Sequence, residues 1–441
     1  MLNTYDLAGG AEKVSFDLCR TYRQQGHDAR LYVRYKRTQE SFVREVDVYA
    51  QTRPWAPLCR RLETRVRARP RFRGQYRVVD ALRRLALPRR GLAQWRGIED
   101  FNYPYARRLA DPDDGWQPDV IHAHNLHGDY FDLRALSHLS KQLPVLWTLH
   151  DTWAITGHCG GVIDCNRWRT GCGSCPDLAR PPAIQRDATA ANWQRKREIY
   201  SQSQLAVSTP SRWLLNCVEQ SMLHPWQARV IHNSVDLDIY HPADRAQARA
   251  ALGLPRDAFI AVFSAFSGAG SNPYKDFNTI RAAAQRLATE EASGPWLLIC
   301  IGGDPQAQDG LNIRYTGYLS DPQVVARYYQ GADVLLHAAN ADIFPLVILE
   351  AMACGTTVVA TGVCGIPEQF VNGETGFVTP RGDGEAMAQQ VRWLMHHPEE
   401  CQRMGKAAAI HAQQSFDLKR QAETFLAWLA DLRAEFREAH P

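Results

Sequence analysis

Residues 341–355 read ADIFPLVILEAMACG, an apolar run with an acid and a proline near its start and a glycine at its end. Pro345 suits the first turn of a helix because an N–H at that position would be unpaired in any residue. The backbone amides of Leu346 and Val347, just after Phe344 and Pro345, would then point outward at the positive end of the helix dipole. The stretch therefore predicts a helix that begins at this proline and offers a binding site for a diphosphate.

Short apolar runs alternate with helical segments on both sides of this helix. They cover residues 29–33, 119–122, 145–149, 205–207 and 229–232 in the N-terminal half, and 259–263, 296–301, 313–315, 334–337 and 357–360 in the C-terminal half. Runs this short, bounded by polar residues or proline, are typical of parallel strands wound by βα units. We predict an α/β fold of two doubly wound, Rossmann-like domains that face a cleft, since such sheets bind ligands at the carboxyl ends of their strands.

The domain boundaries follow from where this alternation changes. A strand at 229–232 leads into a turn-rich stretch, so we place the N-terminal domain at 1–225 and the C-terminal domain at 226–415. The last helical run has no strand after it, and its apolar side chains recur at helical spacing. We therefore expect residues 416–441 to form a helix that packs back on the body of the protein.

Composition excludes several classes of protein. Apolar residues make up 45% of the 441 residues and charged residues 22%, which is ordinary globular usage and leaves no excess polarity for long disorder. No window approaches about twenty consecutive apolar residues, and the first residues lack the basic and apolar regions of a secretion signal. We expect a cytoplasmic protein whose 11 cysteines are thiols or metal ligands rather than a disulfide framework.

Positive charge is concentrated in an insertion at residues 53–108, which carries 16 arginines and four acids although the whole chain has a net charge of only +4. Tryptophans and aliphatic residues are interleaved with these arginines, a pattern that favours amphipathic helices on an anionic membrane surface. The alternative is a solvated helical insertion that its arginines keep soluble. Nucleic acid is disfavoured because no zinc-finger, helix-turn-helix or RRM signature accompanies the charge.

Two carboxylates flank the start of the predicted helix. Asp342 lies just before it and Glu350 about a turn and a half inside it. Carboxylates accept hydrogen bonds from hydroxyls, so both can reach one ligand that carries a sugar and a ribose. An N-cap acid and a buried, paired glutamate explain the same spacing equally well, and the spacing alone leaves both interpretations open.

This segment resembles the acid-x7-Glu signature of the retaining GT-B glycosyltransferases of family 4, and residues 357–368, TVVATGVCGIPE, resemble the strand and glycine loop that follow it. The resemblance covers nearly the whole chain. It implies that Asp342 contacts the transferred sugar, that Glu350 contacts the nucleotide ribose and that Lys275 binds the donor diphosphate. Family members carry a second basic residue a few positions upstream of that lysine, where this chain has Gly270 and Ser271.

Histidines of the N-terminal domain resemble the family's donor site. His150 ends a predicted strand and, by the resemblance, faces the transferred sugar, while His124 matches the family's cleft histidine. His122, His124 and His127 also form a constellation that could be a metal site. Strand-end histidines satisfied by neighbouring carbonyl groups are the favoured alternative.

A glycine pair, Gly9 and Gly10, resembles the family's first glycine loop, where the backbone approaches donor phosphate or acceptor closely. In the family this loop follows a complete central strand, yet only residues 1–4 precede it here. We therefore expect either a start further upstream or another way of completing the edge of the fold.

Four cysteines lie close together in an insert at residues 157–177: Cys159, Cys165, Cys172 and Cys175. Their C-x5-C-x6-C-x2-C spacing suits tetrahedral zinc in a closed structural site. Free or redox-labile thiols are the alternative, because the first spacing is longer than the common one. A similar insert occurs in one bacterial branch of the family, and any such zinc would be structural, with no cofactor needed for catalysis.

The resemblance implies a retaining glycosyltransferase that moves a sugar from a UDP- or GDP-sugar to a glycan or polyprenyl-diphosphate-linked acceptor in bacterial surface polysaccharide biosynthesis. Such an enzyme would be peripheral on the inner membrane, held there by residues 53–108. Asp236 and Asp238 have the D-x-D spelling of metal-dependent transferases, but they lie in a stretch that resembles the family's interdomain linker, so we interpret them as structural. A nucleotide-sugar epimerase of similar fold and a catalytically silent binding subunit are the alternatives.

Overall fold

The computed structural model describes residues 1–48, 54–70, 72, 74–99, 101–111, 115–265, 272–289, 295–304 and 311–439. The chain divides into two compact units. Unit 1 consists of Met1–Thr209, Leu215–Arg229 and Phe425–Pro441, and unit 2 of Pro210–Leu214 and Val230–Thr424. The main boundary therefore falls four residues after the predicted one, and a short segment before it belongs to unit 2.

Unit 1 is built on a seven-stranded sheet with the order β3-β2-β1-β4-β5-β6-β7. Its strands are β1 Leu2–Tyr5, β2 Leu31–Tyr35, β3 Val43–Glu45, β4 Ile121–Ala123, β5 Val145–Thr148, β6 Leu205–Thr209 and β7 Gln227–Val230. Its helices are α1 Gly10–Gln24, α2 Ala56–Arg67, α3 Gln75–Ala86, α4 Pro88–Trp95, α5 Leu136–Leu139, α6 Thr189–Tyr200 and α7 Arg212–Glu219, of which the first three residues of α7 belong to unit 2. The pairings from β3 through to β6 are parallel, as predicted.

The first strand forms with the few residues available to it. Leu2 and Asn3 pair with Tyr32 and Val33 of β2, and Leu2 also pairs with Ala123 of β4. β1 is thus paired on both sides at the centre of the sheet. The strand order reverses between β1 and β4, and this reversal is the point at which open α/β sheets bind ligands.

Unit 2 contains a six-stranded parallel sheet with the order β10-β9-β8-β11-β12-β13. Its strands are β8 Phe259–Ala265, β9 Trp296–Gly302, β10 Ile313–Tyr315, β11 Val334–His337, β12 Thr357–Thr361 and β13 Gly376–Thr379. Its helices are α8 Arg245–Ala251, α9 Phe277–Ala288, α10 Pro322–Gly331, α11 Leu346–Ala353, α12 Gly384–His396 and α13 Pro398–Ser415, followed by α14 Leu418–Ala439. Here the strand order reverses between β8 and β11, the two central strands.

The core of unit 2 explains why these segments read as continuous apolar runs. Val334 and Leu336 of β11 and Val359 of β12 are buried against residues of α9 and α12 such as Leu287 and Val391. Strands covered by helices have no solvated face and therefore show no alternation of polar and apolar residues.

The C-terminal helix α14 begins in unit 2, and from Phe425 onward its residues belong to unit 1. Phe425, Leu429 and Leu432 are buried. The ring of Phe425 lies 4.9 Å from that of His122, and the Trp428 indole donates a hydrogen bond of 2.9 Å to Gln227. The apolar stripe read from the sequence thus packs on unit 1.

The basic insertion folds as the helices α2, α3 and α4. Glu63 of α2 is buried and accepts from Arg67 and Arg83 at 2.9 Å, which ties α2 to α3. Many of its large apolar side chains nevertheless lie at the surface: Trp55, Leu58, Leu62, Phe72, Tyr76, Val78, Leu85, Leu92 and Trp95. None of the helices among the described residues is long and apolar enough to cross a membrane.

Candidate functional site

The centre of the unit 2 sheet collects charged side chains at the carboxyl ends of its strands. His337 is the last residue of β11, Lys275 lies between β8 and α9, and the two segments meet in a bridge between Lys275 and Ala339. Asp342 follows in the loop before α11. These residues surround the point where the strand order reverses, so the fold itself brings them together.

Asp342 is held between two basic groups. Its carboxylate forms an ion pair with the Lys275 ammonium, and the His337 Nε2 lies 3.4 Å from its Oδ2. Burial acts to raise the pKa of Asp342, but Lys275 and His337 outweigh burial and hold that pKa well below its ordinary value. The Lys275 side chain is 44% exposed, so its ammonium remains accessible to an incoming anion.

Helix α11 begins one residue later than predicted, at Leu346, with Pro345 as its N-cap in an extended conformation. Ile348 makes the first intrahelical bond, to Pro345 O at 3.3 Å, so the amides of Leu346 and Val347 precede the bonded turns. Phe344 is buried, and its ring stacks on His232 at 5.0 Å. The helix start thus has the orientation that an anionic ligand requires.

Glu350 is 7% exposed and has two tyrosines, Tyr240 and Tyr329, as neighbours. Burial, and then the Glu350 charge and hydrogen bond, raise the pKa of both Tyr240 and Tyr329, so their hydroxyls stay protonated and donate to the carboxylate. Glu350 is thus buried and has tyrosine partners, and its contact with a nucleotide ribose stays a prediction. Sequence reasoning did not single out His337, Tyr240 or Tyr329, because no spacing rule links them to Asp342 or Glu350.

Where the family carries a second basic residue near the lysine, this chain has Gly270 and Ser271, and both lie outside the described residues.

Asp236 Oδ1 accepts from the amide of Asp238 at 3.1 Å, and the Asp238 carboxylate pairs with Lys419 at 2.9 Å. The two aspartates of the D-x-D sequence therefore form a turn, and Asp238 makes an ion pair at the surface.

Three histidines of unit 1 form a buried chain at the carboxyl ends of β4 and β5. His124 Nδ1 lies 2.9 Å from His150 Nε2, and His122 Nε2 lies 2.8 Å from the Thr148 hydroxyl. Burial lowers the pKa of all three imidazoles, that of His150 to about 4, so they are neutral at physiological pH. The two predicted donor-site histidines, His124 and His150, therefore contact each other directly.

His127, the third histidine of the group noted in the sequence, has a different partner. His127 Nε2 lies 2.9 Å from Asp151 Oδ2, not in the chain that His122 and His124 form. Across the described ranges, no three His, Cys, Asp or Glu side chains are arranged as metal ligands. The favoured interpretation named neighbouring carbonyl groups as the partners of these histidines, whereas the side-chain contacts here are with the Thr148 hydroxyl, His150 and Asp151.

The glycine pair lies at the start of α1, with Gly9 as the N-cap and Gly10 as the first helical residue. A Cβ added to Gly9 would lie 3.0 Å from Glu12 Oε2. Glu12, which the sequence reasoning did not single out, thus stands directly over the loop that follows β1.

The four cysteines of the insert line one cavity, together with His158 and Trp168. They are free thiols. Burial and mutual repulsion raise the pKa of Cys159, and burial raises that of Cys172 to about 12. His158 Nε2 lies 3.4 Å from the Cys175 sulfur. As placed, these side chains do not form a metal-ligand set, and zinc stays a prediction.

Comparison with known proteins agrees with this architecture. The family model "Glycosyltransferase Family 4" matches residues 8–239, and "Glycosyl transferases group 1" matches residues 265–411. One relative is the proposed colanic acid biosynthesis glycosyl transferase WcaC of Escherichia coli K12, 26% identical over 256 residues, or 55% of this chain and 60% of WcaC. Another is the D-inositol 3-phosphate glycosyltransferase of Streptomyces avermitilis, 34% identical over 202 residues, or 42% of each chain.

Solved structures share the fold over nearly the full length. Sucrose-phosphate synthase from Thermosynechococcus elongatus superposes with a TM-score of 0.63 at 18% identity, covering 98% of each chain. HepE of Anabaena, in complex with UDP-glucose, gives 0.59 at 17% identity and the same coverage. The chain spans about half the length of the curated relatives it matches, from 42% to 60%. Since one family model alone covers more than half of the sequence, the chain belongs to glycosyltransferase family 4 and has its GT-B fold of two parallel-sheet α/β domains.

Proposed function

We propose that this protein is a retaining glycosyltransferase that moves a sugar from a UDP- or GDP-sugar to a glycan or lipid-linked acceptor. The main observation in its support is the accessible Lys275 ammonium beside Asp342 at the start of α11. An ammonium and free helix amides together suit a diphosphate. Family membership supports the reaction class. The neighbour HepE, of the same fold, is described in complex with UDP-glucose.

Each residue has a distinct part in this proposal. Lys275 and the amides of Leu346 and Val347 stabilise the negative charge that develops on the leaving diphosphate. On donor binding, Lys275 exchanges its ion pair with Asp342 for the phosphate, which leaves the carboxylate available to sugar hydroxyls. Glu350, oriented by its two tyrosines, accepts from the ribose hydroxyls.

Donor turnover tests the proposal. Hydrolysis and binding are measured across a panel of UDP- and GDP-sugars, with and without EDTA. One preferred donor, indifference to EDTA and a loss of about 10²–10³-fold in kcat for Lys275→Met would support it. Lys406→Met, which removes an exposed lysine of α13, is the matched control and should behave as wild type. Failure to bind any nucleotide-sugar would refute it.

The acceptor and the membrane belong to the same proposal. WcaC is named for colanic acid biosynthesis, which supports a surface polysaccharide as the product. The insertion supports a peripheral position on the inner membrane, because its 16 arginines are interleaved with exposed tryptophans and leucines. Leu58, Leu85 and Leu92 are each at least half exposed, as expected of side chains that enter a bilayer interface.

Vesicle sedimentation tests the membrane contact. We expect binding to vesicles that contain phosphatidylglycerol, weakened by salt, and little binding to pure phosphatidylcholine. Replacing Leu58, Leu85 and Leu92 together by serine should lower the affinity by more than about tenfold, since each buried leucine contributes about 1.5–3 kcal/mol. Ile410→Ser is the control, because Ile410 is equally exposed on α13. Equal loss in both variants would contradict the assignment.

Zinc at the cysteine insert is a separate proposal. Its support is the spacing of the four thiols and the single cavity that they line. Binding would require their side chains to turn toward one point, and the metal would stabilise the insert without a part in sugar transfer.

A further inference from the structure

The two carbonyl groups that precede helix α11 are each held by a buried side-chain amide. Asn233 Nδ2 donates to Phe344 O at 3.0 Å, and Gln369 Nε2 donates to Pro345 O at 3.0 Å. Asn233 is 7% exposed and Gln369 is completely buried. All of these residues belong to unit 2. The backbone at the helix start is therefore fixed by two other segments of the same unit.

Gln369 acts on the peptide group whose N–H belongs to Leu346. The carbonyl of Pro345 and the amide of Leu346 share one planar, trans peptide group, in which C=O and N–H point in opposite directions. A buried side chain that fixes Pro345 O therefore also fixes the Leu346 N–H, which points away from Gln369. That N–H is one of the two amides proposed to bind the donor diphosphate. Asn233 differs in this respect, because the peptide group that precedes Pro345 has no N–H.

The Gln369 side chain extends from a loop that is itself held in place. Ile366–Glu368 form a short 3-10 helix, and the Gln369 amide caps it with a bond of 3.1 Å to Ile366 O. Just before this helix, Gly365 lies so close to the segment ahead of α11 that an added Cβ would be 2.2 Å from Ile343 O. The loop after β12 and the loop before α11 are therefore packed too closely to shift against each other.

Stability alone does not account for a glutamine at this position. Pro345 O also accepts from the Ile348 amide at 3.3 Å, so this carbonyl keeps a partner without Gln369. Gln369 Oε1 is buried and has no hydrogen-bond partner among the described residues. A buried acceptor without a partner lowers the free energy of unfolding, whereas an apolar side chain of similar length would not. The direction that Gln369 gives to the Leu346 amide explains the residue better.

We propose that Gln369 is a positioning residue for the donor: it holds the peptide group between Pro345 and Leu346 so that the Leu346 N–H points at the diphosphate. This inference rests on the proposed glycosyl transfer. Gln369 acts through that amide rather than on the donor itself. An amide that is oriented before the donor arrives needs no reorganisation on binding, and it can stabilise the charge that develops on the leaving diphosphate.

A double-mutant cycle tests this role. Gln369→Met removes the donor group with little change in length, and Leu346→Pro removes the N–H at the first helical position, where proline is tolerated. Dissociation constants are measured for UDP and GDP by calorimetry, and for uridine and guanosine by NMR titration. We expect each single variant to weaken binding of the preferred nucleoside diphosphate about tenfold and that of the matching nucleoside less than about twofold. The double variant should bind no more weakly than Leu346→Pro alone, because the amide that Gln369 orients is then absent.

Two further variants serve as controls. Gln414→Met, which alters an exposed glutamine of α13, should bind both ligands as wild type does. Leu346→Ala removes the same buried side chain as Leu346→Pro but keeps the N–H, so Gln369→Met should still weaken diphosphate binding about tenfold in that background. Melting temperatures are recorded for every variant, and that of Gln369→Met should stay within about 4 °C of wild type.

Four outcomes would overturn the role of Gln369. They are unchanged diphosphate affinity in Gln369→Met, equal weakening of diphosphate and nucleoside binding, a large loss of stability in that variant, and additive losses in the double variant. The first three need only Gln369→Met, so they decide the question even where Leu346→Pro does not fold. Failure of the wild-type protein to bind UDP or GDP would instead refute the proposed function itself, so the two failures are distinguishable.

Discussion

Lys196 provides the sharpest test of how unit 1 is held together. Its side chain is completely buried, and its ammonium bonds Glu99 Oε1 at 3.1 Å, Trp153 O at 2.8 Å and Thr156 O at 3.1 Å. It also lies 3.8 Å from the centre of the Trp153 ring. Burial lowers the pKa of Lys196, and Glu99 opposes that shift. One charged group therefore anchors the loop that follows β5.

Lys196→Met removes this charge and leaves the Glu99 carboxylate in place. Glu99 then keeps the Trp153 indole N–H, at 2.5 Å, as its partner, while its other oxygen is buried without one. Breaking a buried pair from one side costs about 3–5 kcal/mol. For a unit of this size we expect the melting temperature to fall by about 6–20 °C.

Calorimetry and urea unfolding of the full chain measure the loss. Lys141→Met, which alters an exposed lysine, should change the unfolding free energy by less than about 0.5 kcal/mol. The double variant Glu99→Gln with Lys196→Met should recover most of the stability, because no unpaired buried charge remains. A loss below about 1 kcal/mol for Lys196→Met, or no recovery in the double variant, would refute this account of the buried pair.

Three further outcomes are expected. Because the folded pKa of Asp342 is depressed, its stabilisation is present above about pH 4 and is lost as the pH falls further; the difference in unfolding free energy between wild type and Asp342→Asn should therefore stay constant from about pH 6 to about pH 4 and shrink below about pH 4, and a difference that does not shrink there would contradict the ion pair. Gly365→Ala should cost about 1–3 kcal/mol in urea unfolding, since its Cβ would lie 2.2 Å from Ile343 O, whereas Gly91→Ala, with its nearest contact at 3.5 Å, should be tolerated. Metal analysis of the purified protein should find about one zinc per chain, reduced in Cys172→Ser but not in Cys217→Ser; a metal-free wild type would refute zinc at the insert.

The sequence predicts the strands of this fold well because most of them are buried on both faces. The prediction of 334–337 matches the fully buried strand β11 residue for residue, and that of 313–315 matches β10 although β10 is a partly exposed edge strand. The short strands β3 and β13 escaped prediction. Val43–Glu45 and Gly376–Thr379 lie at the edges of their sheets, where few apolar residues are needed and pairing with a neighbour decides the structure.

The candidate site likewise contains residues that a local sequence pattern reveals and residues that only tertiary packing brings together. The start of α11 and the acid beside it, Asp342, could be predicted because a proline and an acid beside an apolar run mark a helix start. Lys275 was found only through the family resemblance, because a single lysine carries no local signal. His337, Tyr240 and Tyr329 could not, because their contacts with Asp342 and Glu350 join distant segments through tertiary packing. The assignment of His127 is similar: its neighbours His122 and His124 in the sequence suggested a shared site, whereas the fold pairs it with Asp151.

Both units carry charged side chains at the point where the strand order of their sheet reverses, but the sets of charges differ. In unit 2 the reversal between β8 and β11 carries an exposed lysine and the positive end of a helix, an arrangement that attracts phosphate. In unit 1 the reversal between β1 and β4 carries Glu12 and the His127–Asp151 pair, beside histidines that burial keeps neutral. The charged side chains at the two reversals therefore differ, although both sheets are parallel and reverse their strand order at one point.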